Sequence, residues 1–170
     1  MSEKKIVIDE SEISYEGLFD MPEIYALIDR FLRDKDYDKF ESKSSELVEA
    51  DGKDIHVVLV PAKWHTDYVK KHIKIDLRAR KLKEVETEID NIKVKLNKGK
   101  LSIYISGIIE TDWEGRWQTR PIYYFIKKLF EKYIYRSEID MFEKEIIEDV
   151  NMLKGQIEGF LNLQKFKQRL

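Results

Sequence analysis

The stretch Ser137–Leu161, SEIDMFEKEIIEDVNMLKGQIEGFL, decides how the rest of the chain is read. Ser137 with Asp140 resembles a capping box that opens a helix. From there Ile139, Phe142, Ile146, Val150, Leu153, Ile157, Phe160 and Leu161 recur at helical spacing. At about 100° per residue they stay within roughly ±60° of one line. One helix therefore carries an apolar ridge for about seven turns. Gly155 and Gly159 fall opposite that ridge. Each costs about 1 kcal/mol relative to Ala in a helix interior, a cost that close approach of another chain would justify.

A ridge of this length needs a surface to cover, and the upstream sequence supplies one. Val69, Ile73, Ile75, Leu77 and Ala79 share one parity, interrupted at Lys71. Lys70, Lys74, Asp76, Arg78 and Arg80 take the other. That alternation marks a sheet with one dry and one wet face. Strands are expected at Ile13–Asp20, Phe40–Glu49 (a polar edge), Ile55–Val60, Tyr68–Arg80, Val85–Leu96 and Leu101–Ile109. Asp51-Gly52 reads as a hairpin turn, and Asn97 to Lys100 as another. The apolar parity changes between Ile89 and Ile92, which a bulge near Asp90-Asn91 would produce.

Helices flank the strands. Asp20 can cap a helix that starts at Met21-Pro22-Glu23 and fades near Asp34 to Asp36. Thr119 before Pro121 reads as the cap of a further helix, Ile122–Tyr135, which is aromatic around most of its circumference.

The predicted fold class is therefore α+β. A curved antiparallel sheet of about six strands packs on a long C-terminal helix, in one domain spanning residues 1–170. This element order resembles the helix-grip arrangement of START-like and plant pollen-allergen-like proteins. It departs from that group in having one helix after the first strand where two are usual. The resemblance implies a lipid, hormone or other apolar ligand between sheet and helix, although some members are enzymes. It transfers no functional residue, because no shared motif is present.

Composition narrows the chemistry. The chain has no Cys, which removes disulfides, thiolate metal sites and a cysteine nucleophile. The charged N-terminus lacks a signal-peptide core, and no apolar run approaches the roughly 20 residues that span a bilayer. A cytoplasmic location is the expectation. Abundant Lys, Glu and Ile with four Gln and four Asn fit a heat-adapted composition. Glycine-rich phosphate loops, G-x-S-x-G and H-E-x-x-H are all missing. No catalytic residue, cofactor or metal is predicted.

Charge is spread unevenly. Residues 1–60 carry 16 acids and 8 bases, residues 61–136 carry 10 acids and 18 bases, and residues 137–170 carry 7 acids and 5 bases. The middle block either meets an anionic partner or is neutralised by the acidic blocks within the fold.

Four places could carry function. Trp113, Arg116, Trp117 and Arg120, with Tyr124 beyond them, could stack and grip a ligand at the mouth of the sheet. Alternatively, these Trp anchor the sheet end. Lys70, Lys74, Arg78 and Arg80 line one side of a strand and could meet phosphate or nucleic acid, or form a solvated face. Few aromatics interleave with them, which counts against base stacking. His65 and Asp67 could hold a metal or relay a proton, although no ligand pair stands at metal spacing. Asp112 and Glu114 form a carboxylate pair of little specificity.

The expected function is non-catalytic binding of an apolar or amphipathic small molecule between sheet and C-terminal helices. The alternatives are a nucleic-acid or phosphate-binding module built on residues 63–120, and a structural subunit that forms a homodimer through helices 121–165.

Overall fold

The computed structural model describes residues 3–38, 41–66, 68–89, 91–111 and 135–167. The chain is α+β: an antiparallel, curved and unclosed six-stranded sheet packed against a C-terminal helix. The elements are β1 (Glu3–Phe19), α1 (Met21–Asp34), β2 (Glu41–Glu49), β3 (Gly52–Leu59), β4 (Ala62–Trp64), β5 (Val69–Ile89), β6 (Ile92–Thr111) and α2 (Tyr135–Lys167). Strand order is β1-β6-β5-β3-β2, with β4 paired to the first residues of β5.

Both helices cover the inner face. Asp20 caps α1 by accepting a hydrogen bond from the Glu23 N–H at 3.0 Å, and Ile24, Ile28, Phe31 and Leu32 are buried beneath it. On α2, Phe142, Ile146, Val150, Leu153, Ile157 and Leu161 are buried, none more than 7% exposed. At about 1.5–3 kcal/mol each, this ridge is a major source of stability. A Cβ placed on Gly107 of β6 would stand 3.2 Å from Ile146 Cγ1 and 3.3 Å from Val150 Cγ2. The helix thus rests directly on the sheet backbone there, and glycine permits the approach.

Several boundaries differ from the sequence reading. Strand β1 begins at Glu3 rather than Ile13. Register shifts between Ile6 and Ile8 and between Ile8 and Ser11, with Glu10 at φ 40°, break the alternation that would have marked it. Ser137 lies inside α2, so no capping box starts the helix there. The loop of the β2–β3 hairpin is Ala50-Asp51, because Glu49 pairs with Gly52. Gly52 instead relieves crowding at φ 152°: a Cβ there would stand 2.8 Å from the Lys81 backbone. Most of the expected helix 122–135 lies outside the described residues.

The largest difference is an exchange between turn and bulge. The β5–β6 hairpin turns between Ile89 and Ile92, which pair, with Asn91 at φ 64°. Residues 97–100 run on as strand, and the bulge lies between Arg80 and Lys83, with Lys81 at φ 53°. A two-residue turn shifts parity just as a bulge does, which is why Ile89 and Ile92 misled. Gly99 owes its place to crowding: its Cβ would meet the Arg80 carbonyl oxygen at 2.7 Å.

Candidate anion-binding site

Along β5 the two faces carry charge in contrasting surroundings. On the inner face Lys71 is fully buried. Its Nζ lies 2.8 Å from Glu145 Oε1 and 3.8 Å from Asp149 Oδ2, both on α2. Asp149 also accepts the Tyr37 hydroxyl at 2.9 Å and pairs with Lys35 at 3.0 Å. Burial lowers the Lys71 pKa, opposed by its Glu145 contact. Burial and then the Asp149 carboxylate raise that of Tyr37. His65 stacks on Phe142 at 4.6 Å between ring centroids. Its pKa is lowered by burial, with Lys71 adding to the effect and Glu145 opposing it. These groups tie α1, the β4–β5 corner and α2 together. The acidic helix therefore neutralises part of the basic block from within.

On the outer face His72, Asp76, Ser106 and Glu110 are buried, whereas Arg78, Arg80 and Lys100 are exposed. Residues of even number on β5, up to Arg80, face outward, and the antiparallel register aligns them into rows. One row runs Ser45, His56, Arg78, Ser102 and Ser14. The next sets Arg80 opposite Lys100, and beyond the bulge Lys83 lies opposite Lys98. Two successive cross-strand pairs thus join like charges, an arrangement that destabilises a sheet. Among the described residues, none of these four cations makes an ion pair. Glu16 is the register neighbour of Lys100 on β1 and the nearest acid in that row.

Arg78 is held rigidly. Its Nε and Nη2 donate to Asp76 at 2.9 and 2.8 Å, and its guanidinium lies 5.2 Å from the Tyr104 ring centre. The hydrogen bond from Arg78 pulls the Asp76 carboxyl below its ordinary pKa against partial burial, and His56 at 2.9 Å assists. Arg78 and Arg80 form a ridge between two recesses. One, about 170 Å³, is lined by Glu12, Ser14, Lys100, Ser102 and Tyr104 besides the two arginines. The other, about 270 Å³, extends to His56, Asp54 and Ser45. Guanidinium, ammonium and hydroxyl donors line the smaller recess beside the single carboxylate of Glu12, to which the Tyr104 hydroxyl donates. Cations outnumber that acid three to one, a set suited to phosphate or carboxylate oxygens.

The predicted anion-binding residues separate in space. Arg78 and Arg80 line both recesses, whereas Lys70 lies over the Trp64 ring at 4.7 Å and Lys74 pairs in register with Ser106. Lys100, Ser102, Ser14 and Tyr104 were missed as site residues. Lys100 read as part of a turn, and the others are unremarkable until the register aligns them. Trp113, Arg116, Trp117, Arg120 and Tyr124 lie outside the described residues, as do Asp67, Asp112 and Glu114. His72 pairs with Glu110 at 2.7 Å. Among the described residues no cluster of three His, Asp or Glu side chains is arranged to hold a metal, and no helix is long and apolar enough to cross a membrane. Compared with models of known families and with curated proteins, the sequence matches none.

Proposed function

We propose that this protein binds a phosphate-bearing anion on the outer face of its sheet, at the recess between Arg78, Arg80, Lys100, Ser14 and Ser102. The observation that carries the reading is the placement of Arg80 opposite Lys100, with Lys83 opposite Lys98 beyond. An anion between the rows would relieve that repulsion, so the occupied form gains what the empty form lacks. Among the described residues that line the recess, Tyr104 is the one aromatic, and it is already covered by Arg78. This favours phosphate contact over base stacking. Titration calorimetry with tripolyphosphate at about 50 mM salt should show binding that weakens steeply as salt rises. The double charge reversal Arg80→Glu, Lys100→Glu should abolish it. Absence of binding by the wild-type chain, or undiminished binding by the variant, would remove the reading.

A second reading, an apolar or amphipathic small molecule between sheet and helix, is favoured by a different cleft. It has a volume of about 280 Å³ and lies at the start of α1 against β3, β5 and β6. Met21, Pro22, Tyr25, Ile55 and Leu82 supply apolar lining, and Lys53, Glu84 and Asn97 supply polar groups. A few polar groups in an apolar cleft suit an amphipathic ligand. Native mass spectrometry of the purified protein should then show a bound small molecule that Leu82→Trp displaces. Bare protein throughout would argue against this reading.

A further inference from the structure

We infer that the solvent face of α2 pairs with the same face of a second copy, the two helices running antiparallel. Beside its buried ridge, α2 carries a second line of residues on the opposite side: Met141, Met152, Gly155, Gly159, Leu163 and Phe166. At about 100° per residue these stay within roughly ±40° of one direction. The four large members are 55%, 46%, 62% and 63% exposed. A Cβ added at Gly155 or Gly159 would meet nothing within 4 Å, so neither glycine serves packing among the described residues. A soluble surface helix normally presents polar residues here, and aligned exposed apolar groups mark an interaction site.

Charge identifies the occupant and its direction. In the first half of the helix Glu143, Glu145 and Asp149 are already used by Lys5, Lys71 and Lys35 of the same chain. Glu138, Asp140 and Glu148 with Arg136 and Lys144 leave that half one charge negative. In the second half Lys154 and Glu158 pair with each other, and Lys165 with Lys167 leaves it two charges positive. The face is thus complementary to itself reversed. Set antiparallel about the glycines, Gly155 meets Gly159 of the other copy and Met152 lies beside Leu163. Glu148 then comes opposite Phe166 and beside Lys165. A parallel arrangement would bring Glu148 against Glu148 and is disfavoured. The contact is isologous, as a twofold dimer requires.

Sedimentation velocity on the full chain tests this directly. The wild type should dimerise at protomer concentrations of about 100 µM or below. Glu148→Lys or Lys165→Glu alone should weaken dimerisation about tenfold or more, and the two together should restore much of it. Both positions are exposed, so the variants should fold. Gly159→Leu should block pairing while leaving the unfolding midpoint of the diluted protein unchanged or higher. A wild type that stays monomeric at 100 µM overturns the inference, whether or not it binds vesicles or another protein. So does a dimer indifferent to all four variants.

Discussion

On the inner face of β5, Lys71 is enclosed by Glu145, Asp149 and the Tyr37 ring. On the outer face of the same strand, Arg80 looks across at Lys100 without an acid between them. The difference follows from what each face can tolerate. A buried ammonium without carboxylates is prohibitively costly, so the fold must neutralise it internally. A solvated cation pays little for a like neighbour, because water and salt screen the repulsion. Charge left unpaired outside is therefore available for a ligand, and charge buried inside serves to position α2.

The contrast yields a ranked series of tests. Asp149→Ala should have the largest effect, because it strips three partners of their common carboxylate. Chemical denaturation should show a loss of about 3–5 kcal/mol, and a loss under about 1 kcal/mol would make the inner cluster incidental. Gly107→Leu should come next, at about 1–3 kcal/mol, since the added side chain must push Ile146 and Val150 off the sheet. An unchanged midpoint would mean that α2 does not rest on β6.

The pH dependence should follow. Burial lowers the pKa values of His65 and His72, against the pull of Glu145 and Glu110 respectively. A lowered histidine pKa means that below about 6.5 the unfolded chain takes up protons that the native state refuses. Stability should fall as pH drops through that value and level off below the folded-state pKa values. The slope should not exceed about 1.4 kcal/mol per pH unit for each proton, and His72→Gln should flatten it. A rise in stability over the same interval would reverse the assignment. The smallest effect is expected outside: Arg80→Gln, which removes the like charge facing Lys100 and leaves Glu16 its cation neighbour, should raise stability by a few tenths of a kcal/mol at low salt and by less at high salt. A clear destabilisation would show that Arg80 has a structural partner.

The sequence made the fold readable because two periodicities are strong. The α2 ridge and the alternation from Val69 to Ala79 each point one way, and Lys71 already stood out as the exception. Bulges and turns were harder to place, because each shifts parity by one residue and local composition cannot separate them. Asn97-Lys98-Gly99-Lys100 looks like a turn by residue type, yet its glycine answers to a carbonyl across the sheet. The candidate site was half legible for the same reason. Arg78 and Arg80 are visible on one strand, but Lys100, Ser102 and Ser14 join them only through a register that a misplaced turn conceals. The proposed dimer face rests on exposure at Met152, Leu163 and Phe166, which periodicity alone does not reveal, and only Gly155 and Gly159 on the same side pointed to it.

The most direct measurement follows backbone amide resonances while tripolyphosphate is added at low salt. Shifts confined to Ser14, Arg78, Arg80, Lys100, Ser102 and their neighbours, fading as salt is raised, are the predicted result. Shifts centred on Tyr37, Lys71 and Asp149, or none at all, would contradict the division of the sheet into a neutralised inner face and a ligand-ready outer one.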